Sequence, residues 1–495
     1  MAGTRWFVAS VLMLGWAAIA GPSAFAKLPD RPNILVVMSD EHNVNVTGCY
    51  GNRIVQTPNM DRLAARGITF DAAYTNSPLC VPCRLSFTAG KYISRVGAWT
   101  NSCELPSPDY PSLPRIMNAA GYESFLCGKM HYAHDRRYGF TEIGGNMNKS
   151  TKNGRGGRRD SADLKPTGER SRRFDDFYAA DNSTVLNHDR AVTAGAVEFL
   201  RNRNATDKPF FLLVGYLAPH FPLIVPQKYW DNYKGKVPMP VIPAGYLDSL
   251  PRNYQHLRVG FSVTDVPEAE VRKGRELYYG LTQWVDEEIG KVLAALEASG
   301  LADNTVVIYT SDHGENMGEH GLWWKNSMFD TSTRIPLIIS WPKRWAGGQR
   351  RAQACSLVDV VQTIAELGGA TVPRDWDGDS MCAWMDDANH RWKDLVVSEY
   401  YAHNIASGYA MIRHGDYKYV YHTPADDRHP AERELYDLKA DPGELKNLAA
   451  DPGQQDRIKT LHAMLVKELG EDPDKTEQRA RAELARGYTN VTAGP

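Results

Sequence analysis

The sequence predicts an α/β fold class with a mostly parallel central sheet flanked by helices, followed by a smaller C-terminal α+β domain that contains a short antiparallel sheet. Two observations support this. Short apolar runs alternate with helical patterns along most of the 495 residues, which is typical of repeated βα units. From about residue 376 the pattern changes to a hairpin signal followed by a helix. We therefore predict a large domain over residues 27–375 and a smaller one over 376–495.

Four strands and four helices stand out in the large domain. The predicted strands are 34–38, 210–216, 306–310 and 337–341, and the predicted helices are 57–66, 112–120, 189–201 and 276–298. The last helix carries apolar residues at helical spacing, namely Leu277, Leu281, Val285, Ile289 and Leu293. We expect this helix to face the core rather than to form a site.

The smaller domain has signals of its own. Residues 409–414 and 417–421 have the composition of paired strands around Gly415-Asp416, which predicts a hairpin turn. Residues 458–469 have the pattern of a helix. A hairpin followed by a helix predicts the α+β arrangement.

The N-terminus has the features of a signal peptide, predicted over residues 1–26. A lone Arg5 precedes an apolar run over 6–20, and Ala24-Phe25-Ala26 matches a small-residue cleavage site. The alternative is a membrane anchor, but the run is short for a bilayer span of about 20 residues and contains Gly15. We expect a periplasmic or secreted protein with no stable membrane span after cleavage. The formal net charge of −2 does not suggest a nucleic-acid partner.

Polar residues follow the ends of three predicted strands. Asp40 follows the first, His220 the second, and Asp312 with His313 the third. Ligands of open α/β sheets bind outside the carboxyl ends of the strands, so we expect these loops to meet in one crevice. Of these residues, Asp40, Asp312 and His313, together with Glu41, offer hard oxygen ligands and one imidazole. Such a set suits Ca²⁺ or Mg²⁺, and the nitrogen also admits Mn²⁺.

The most informative stretch runs from Cys80 to Gly90 and contains the spacing C-x-P-x-R, with Pro82 and Arg84. Cys80 and Cys83 also form a C-x-x-C, which can be a redox pair or half of a zinc site. No second C-x-x-C occurs in the sequence, and the flanking residues do not offer a short βαβ domain. The pentapeptide alone leaves these alternatives open.

The stretch resembles the signature of the sulfatase family, in which the cysteine is oxidised after translation to formylglycine, an aldehyde whose hydrate is the nucleophile. The resemblance spans essentially the whole mature chain and implies an alkaline phosphatase-like fold and a sulfuric ester hydrolase. It includes segments similar to those of choline sulfatases and related bacterial sulfatases. The segments that carry it include Ser39-Asp40, Gly48-Cys49-Tyr50-Gly51, Ser77-Pro78-Leu79-Cys80, Gly128-Lys129-Met130-His131, Pro219-His220-Phe221-Pro222, Ser311-Asp312-His313-Gly314 and Gly321-Leu322-Trp323-Trp324-Lys325.

The resemblance implies one divalent metal ion, with Ca²⁺ first and Mg²⁺ or Mn²⁺ as alternatives. The implied metal ligands are Asp40, Glu41, Asp312, His313 and an oxygen of the modified Cys80. The implied catalytic residues are Cys80, Arg84, Lys129, His131, His220, Asp312 and Lys325. Among these, Arg84 and Lys129 would hold the hydrate, and Asp312 would take a proton from the hydroxyl that attacks sulfur.

The remaining implied roles concern the leaving groups. His220 and Lys325 would hold the sulfate and protonate the departing alkoxide. His131 would take the proton of the second hydroxyl, so that the aldehyde re-forms and sulfate leaves by C–O cleavage. An aldehyde therefore avoids the second attack by water that a serine or cysteine ester would need.

Three positions depart from the common family pattern. Glu41 stands where many relatives have a second aspartate, and His313 stands where many have asparagine, so direct ligation by Glu41 and the identity of the metal stay open. Cys83 replaces the commoner serine or alanine, and a disulfide to the signature cysteine would block the aldehyde. Other disulfides are allowed in an exported chain, and the first pair to test is Cys355 with Cys382.

The predicted function is hydrolysis of an organic sulfate monoester, preferably a carbohydrate sulfate, after maturation by a formylglycine-generating enzyme. The alternatives are a choline sulfatase-like small-molecule sulfatase, a phosphate or phosphonate ester hydrolase of the same superfamily, and a catalytically silent carbohydrate-binding relative. The basic stretch 149–173 favours a polyanion. Aromatic residues instead suit a quaternary ammonium group or a sugar ring, and the candidates are Trp99, Trp323, Trp324, Tyr400 and Tyr401.

Overall fold

The computed structural model describes residues 31–133, 135–144 and 168–486, together with 1, 3 and 165. The predicted signal peptide and most of the basic stretch 149–173 lie outside the described residues. The strands are β1 (Asn33–Asp40), β2 (Ile68–Tyr74), β3 (Glu123–Gly128), β4 (Thr141–Ile143), β5 (Tyr178–Ala179), β6 (Phe210–Pro219), β7 (Ile224–Val225), β8 (Thr305–Ser311), β9 (Arg334–Ile335), β10 (Leu337–Ser340), β11 (Gln349–Ser356), β12 (Leu395–Tyr400), β13 (Tyr409–His414), β14 (Tyr417–His422) and β15 (Glu432–Asp437).

Each predicted helix is present. The helices are α1 (Pro58–Ala65), α2 (Cys80–Ala89), α3 (Ile93–Val96), α4 (Leu113–Ala119), α5 (Thr184–Arg201), α6 (Gln227–Asp231), α7 (Arg252–Gly260), α8 (Glu268–Ala298), α9 (Asp330–Thr333), α10 (Leu357–Leu367), α11 (Cys382–Asp386), α12 (Gln455–Leu469) and α13 (Pro473–Ala485). Helix α5 begins earlier than predicted because the Ser183 side chain caps it, accepting a hydrogen bond of 3.1 Å from the Leu186 amide.

The central sheet has the strand order β11-β2-β10-β8-β1-β6-β3-β4, with β9 paired to β2. Strand β1 runs parallel to both of its neighbours, β6 and β8. Strand β10 is antiparallel to β2 and β8, so the sheet is mostly but not wholly parallel. The predicted fold class is confirmed, and the four predicted strands are all present.

Both faces of the central sheet are covered by apolar side chains. Along β1, Ile34 and Val36 belong to one buried cluster, whereas Leu35 and Val37 belong to another. Alternate residues of a strand point to opposite faces, so a strand covered on both sides has a continuous apolar run. Helix α8 contributes its predicted apolar residues to the second cluster, as expected of a core-facing helix.

The C-terminal part contains a four-stranded antiparallel sheet with the order β12-β13-β14-β15. The predicted hairpin is confirmed, and Gly415 at its turn has a φ of 58°, which favours glycine. One face of this sheet packs against Leu461 and Leu465 of α12. Its other face shares a buried cluster with Tyr74 of β2. The domain boundary at residue 376 stays a prediction.

Two further findings concern the whole described chain. All seven cysteines lie among the described residues and none is bonded to another, including Cys355 and Cys382. Among the helices formed by described residues, none combines the length and the apolar character needed to cross a bilayer.

Candidate active site

The candidate site lies at the carboxyl edge of four adjacent strands, β8, β1, β6 and β3. Asp40 is the last residue of β1, and Asp312 follows β8 directly. His220 follows β6, and Lys129 follows β3. The carboxyl ends of neighbouring parallel strands meet at the same edge, which explains why residues distant in sequence lie together.

The C-x-P-x-R spacing is explained by helix α2. Cys80 is the first residue of this helix, and Arg84 lies four residues later, so both side chains lie on one face. Pro82 occupies the first turn, where a backbone amide has no partner within the helix and a proline is tolerated. The Val81 amide donates instead to Oδ1 of Asn101, at 3.0 Å. The motif therefore places a reactive side chain and a cation side by side at the start of a helix.

Arg84 is fully buried and connects three parts of the site. Its Nε donates to Oδ2 of Asp312 at 2.9 Å, its Nη2 to Oδ2 of Asp40 at 2.8 Å, and its Nη1 to the Lys129 carbonyl at 2.8 Å. The Lys129 ammonium also pairs with Asp40. Burial and Cys80 raise the pKa of the Asp40 carboxyl, but the neighbouring cations outweigh them and hold it well below its usual value. Asp40 is therefore ionised in the folded protein.

The Cys80 side chain is buried among cations and candidate metal ligands. Its Sγ lies 3.2 Å from Nε2 of His313 and 3.7 Å from Oδ1 of Asp40. Burial opposes ionisation of the thiol, but Lys325, Lys129 and His313 lower its pKa well below the ordinary value. The surroundings of this position therefore favour an anionic or strongly polar group.

The residues present fit a divalent metal ion. One ligand atom from each of Asp40, Cys80, Asp312 and His313 lies within 4.8 Å of all the others, and all four residues are buried. Nδ1 of His313 donates to the Gly314 carbonyl at 3.1 Å, which turns Nε2 towards the cluster. Metal-binding histidines usually donate their other ring nitrogen in this way. Two carboxylates and an imidazole suit a hard cation with some tolerance for nitrogen.

Glu41 lies between this cluster and the residues predicted to hold the sulfate. Its Oε2 is 2.9 Å from Nζ of Lys325 and 3.1 Å from Nε2 of His220. Its Oε1 is buried and accepts no hydrogen bond from a described residue, so this oxygen is one that a cation would satisfy. Burial raises the pKa of the Glu41 carboxyl to about 7, although His220 and Lys325 act in the opposite direction. One oxygen of Glu41 lies within 4.8 Å of ligand atoms of Asp40 and His220.

The two predicted catalytic histidines differ in orientation and surroundings. Nδ1 of His220 donates to the Phe221 carbonyl at 2.5 Å, and the two rings stack with centroids 4.4 Å apart. Its Nε2 therefore faces the site. His131 lies beside Cys80 in a positive-φ backbone conformation, and burial lowers the pKa of its imidazole. A neutral imidazole beside the signature residue can accept a proton.

The comparison that decides the family is a match of the sulfatase family model to residues 32–370. The chain belongs to the sulfatase family. A second family model, described as N-sulphoglucosamine sulphohydrolase, C-terminal, matches residues 318–471 of this sulfatase. The sequence is 31% identical to choline-sulfatase of Rhizobium meliloti (strain 1021) over 447 residues, covering 84% of this chain and 82% of that protein.

Solved structures are similar over nearly the whole chain. One is a complex of a protein with its substrate D-glucosamine-2-N,6-O-disulfate, with 25% sequence identity, a TM-score of 0.70, and coverage of 90% of this chain and 99% of that one. Another is phosphonate monoester hydrolase of Agrobacterium radiobacter, with 22% identity, a TM-score of 0.72, and coverage of 92% and 96%. The predicted alkaline phosphatase-like fold and the class of sulfuric ester hydrolases are both confirmed for this sulfatase.

Glu315, which no sequence pattern indicated as a site residue, is buried beside Glu41 in this sulfatase. Its Oε1 accepts hydrogen bonds from the amides of Met317 at 2.8 Å and Trp324 at 2.5 Å. These bonds hold the loop that carries Lys325. Burial raises the pKa of its carboxyl. The sequence offered one signal, a glutamate two residues after His313, but no periodicity distinguishes such a residue from an exposed one.

Two of the aromatic residues predicted to hold the substrate do not line the site. Trp99 and Tyr401 are fully buried and pack edge-to-face, with ring centroids 5.4 Å apart. The Trp99 indole donates to Glu483 of α13 at 2.5 Å. These two residues belong to the core, whereas Trp324 precedes Lys325 and lies beside the site.

Replacement of Cys83 by alanine tests the C-x-x-C alternative. The Cys83 thiol is buried and donates to the Asp312 carbonyl at 3.0 Å, and burial raises its pKa well above the ordinary value. We expect kcat/KM for p-nitrophenyl sulfate to stay within about threefold, and the free energy of unfolding to fall by about 1–2 kcal/mol from the lost contact. Steady-state kinetics and urea unfolding would measure both. A loss of activity comparable to that of Cys80→Ala would support a redox role for the pair.

Proposed function

We propose that the protein is an exported, metal-dependent sulfatase that hydrolyses an organic sulfate monoester with a formylglycine made from Cys80. The observation that supports this most is the position of the Cys80 side chain. It lies at the start of α2, among the candidate metal ligands and close enough to the Lys325 and Lys129 ammonium groups to feel their charge. A hydrated aldehyde at this position would have these cations and the His131 imidazole close to it.

The metal would be held by Asp40, Asp312, His313 and position 80, with Glu41 as a further ligand. When bound, a Ca²⁺ ion would offset the negative charge of the sulfate oxygens, and Mg²⁺ or Mn²⁺ are the alternatives. The modified side chain would supply a geminal diol, whose one hydroxyl attacks sulfur. Asp312 takes the proton of that hydroxyl.

Arg84 and Lys129 hold the hydrated side chain at position 80, which supplies the attacking hydroxyl. Arg84 is fixed by two carboxylates, so its guanidinium does not reorganise when charge develops nearby. His220 and Lys325 converge on Glu41 from the other side, where the sulfate would replace or share this carboxylate as their partner. Nε2 of His220 and Nζ of Lys325 are the atoms positioned to hold the sulfate and to donate a proton to the departing alkoxide.

His131 serves the last step. It takes the proton of the remaining hydroxyl of the diol, which allows the carbonyl to re-form as the C–O bond to sulfate breaks. Its lowered pKa keeps the imidazole neutral near pH 7, in the form that accepts a proton. This step is needed only if residue 80 is a geminal diol, because only a diol keeps a second hydroxyl whose deprotonation re-forms the aldehyde.

The burial of Cys80 limits when this residue can be converted to formylglycine. The side chain is only 2% exposed in the folded protein. A formylglycine-generating enzyme would therefore act on the chain before α2 is packed, and its contacts would be with an extended signature segment. Export by the predicted signal peptide would follow or accompany this step.

We propose a carbohydrate sulfate as the substrate. The match to the N-sulphoglucosamine sulphohydrolase model and the likeness to a structure bound to a glucosamine disulfate support it. Choline sulfate is the alternative, supported by the choline-sulfatase relative. A phosphonate or phosphate ester is the second candidate function, since a phosphonate monoester hydrolase has a similar fold.

Comparison of three esters tests the reaction class. We expect kcat/KM for p-nitrophenyl sulfate to exceed those for p-nitrophenyl phosphate and p-nitrophenyl phenylphosphonate by at least about tenfold, equivalent to about 1.4 kcal/mol of transition-state free energy. A chelator should abolish sulfate hydrolysis, and added Ca²⁺ should restore it. A preference of the same size for the phosphonate would support the second candidate instead.

A further inference from the structure

A pocket of about 450 Å³ is lined by Arg173, whose guanidinium lies over the rings of Phe221 and Trp324, the chain neighbours of His220 and Lys325. Three segments form it: residues 169–173, residues 260–262 at the end of α7, and residues 403–404 in the loop after β12. Residues that line it include Arg170, Arg173, Phe261, His403 and Asn404. Neither the family resemblance nor the proposed reaction assigns a role to these residues.

Arg173 is the distinctive residue of this pocket. Its Cζ lies 4.4 Å from the ring centroid of Phe221, 4.5 Å from that of Trp324 and 5.4 Å from that of Phe261. Within the described part of the chain, the guanidinium has no hydrogen bond or ion pair. Arg170 differs, because its guanidinium bonds to Asp175 at 2.8 Å. Arg173 is therefore a half-buried cation, held in place by aromatic rings, whose hydrogen-bond donors are available to a ligand.

The aromatic rings connect the pocket to the reaction site. Phe221 stacks on the His220 ring, with centroids 4.4 Å apart. Trp324 directly precedes Lys325, whose Nζ lies 5.9 Å from the Phe221 ring centroid. Since His220 and Lys325 are proposed to hold the sulfate, the pocket lies where the rest of the substrate would extend.

The charges of the pocket disfavour a quaternary ammonium group. Such a group needs open aromatic faces, but the Arg173 guanidinium already covers Phe221 and Trp324. A choline moiety would also lie close to the Lys325 ammonium and be repelled. Burial, together with Arg173 and Lys325, lowers the pKa of His403 to about 4, so its imidazole is neutral and offers hydrogen bonds without charge. An anion is attracted by the Arg173 and Lys325 cations, although Glu169 lines the pocket and the Glu41 and Glu315 carboxylates also act on Arg173.

We propose that this pocket binds a second anionic group of the substrate, with Arg173 as the residue that determines specificity. The substrate is then a carbohydrate sulfate that bears a further sulfate or carboxylate near the scissile ester. Arg173 offers paired N–H donors to two oxygens of that group, the geometry in which arginine recognises sulfate and carboxylate. This inference rests on the proposed function, because it places the scissile sulfate at His220 and Lys325.

Arg173→Gln tests the proposal, because it removes the charge and keeps a polar side chain. We expect kcat/KM for D-glucosamine-2-N,6-O-disulfate to fall by about tenfold to a hundredfold, since hydrogen bonds to charged groups are strong. For N-acetylglucosamine 6-O-sulfate, p-nitrophenyl sulfate and choline sulfate, we expect changes below about threefold. Arg457→Gln is the matched control, because this exposed arginine also stacks on an aromatic ring, Tyr417, at 3.6 Å.

Calorimetry provides a readout that does not depend on turnover. In the Cys80→Ala background, the disulfate should bind more tightly than the monosulfate, and Arg173→Gln should remove that difference. Wild-type protein that prefers the disulfate and loses the preference with Arg173→Gln supports the proposal. Equal losses for all esters, or no preference for the disulfate in either assay, would overturn it. Failure of the proposed function has a different signature, in which wild-type protein with modified Cys80 hydrolyses no sulfate ester.

Discussion

Replacement of Cys80 by alanine is expected to reduce kcat/KM for p-nitrophenyl sulfate by at least about 10³-fold, the scale seen when a nucleophile is removed. Alanine cannot be converted to an aldehyde, so the attacking hydroxyl is absent. The surrounding cations and candidate metal ligands remain, because Arg84 is held by Asp40 and Asp312 without help from Cys80. The measurement is steady-state kinetics on purified protein.

The Cys80→Ala variant should remain folded. The substitution removes one sulfur atom at the first position of α2, where alanine is compatible with the helix. A thermal midpoint close to that of the wild type would therefore assign the loss to chemistry. Residual kcat/KM above about a tenth of the wild-type value would contradict a covalent role for position 80. Retained turnover in the wild type also excludes a catalytically silent carbohydrate-binding protein.

Asp40→Asn is expected to have the second largest effect. The carboxylate belongs to the candidate metal cluster and pairs with both Arg84 and Lys129. An amide removes a charged ligand, deprives the Lys129 ammonium of its carboxylate partner and leaves Arg84 paired with Asp312 alone. We expect loss of the bound metal, a fall in kcat/KM of more than about 100-fold, and a loss of stability of about 3–5 kcal/mol. Elemental analysis, kinetics and denaturant unfolding measure the three effects.

Asp286→Asn is the matched control for this prediction. Asp286 is also a buried carboxylate, but it accepts hydrogen bonds from the Asn59 and Met60 amides, away from the metal cluster. We expect that variant to lose stability and to keep its metal and its activity per folded molecule. If Asp40→Asn kept a full complement of metal, the assignment of Asp40 as a ligand would be wrong.

The positions of polar residues at predicted strand ends indicated which loops of the fold meet. Asp40 ends β1, and His220 and Asp312 follow β6 and β8; these parallel strands are adjacent in the sheet, and this adjacency requires only the general geometry of α/β folds. The direction of β10 could not be predicted in the same way. An apolar run has no direction, so the sequence indicated a strand without showing that it is antiparallel.

Helix α2, which carries Cys80 and Arg84, was not predicted from the pattern of apolar and polar residues. All ten residues of this helix are buried, so it has no alternation of apolar and polar faces to mark it as helical. Asn101, which accepts a hydrogen bond from its first turn, comes from a separate loop. The family resemblance identified Cys80 and Arg84, whereas the helix explains their spacing.

Arg173 is a second residue whose place beside the site could not be predicted from the sequence. In the sequence it is the last residue of a basic stretch and resembles its exposed neighbours. Only the fold brings Phe221, Phe261 and Trp324 around it. Contacts between residues far apart in sequence determine which of several arginines lies beside the site.

The most direct test of the central claim is the mass of the tryptic peptide 67–84, which contains both Cys80 and Cys83. In active protein we predict a peptide about 18 Da lighter than the dithiol form, from exchange of SH₂ for O, or its hydrate. Fragmentation should assign the change to Cys80 and show Cys83 as a thiol. An intact thiol at Cys80, or a disulfide between the two residues, in fully active protein would contradict the account.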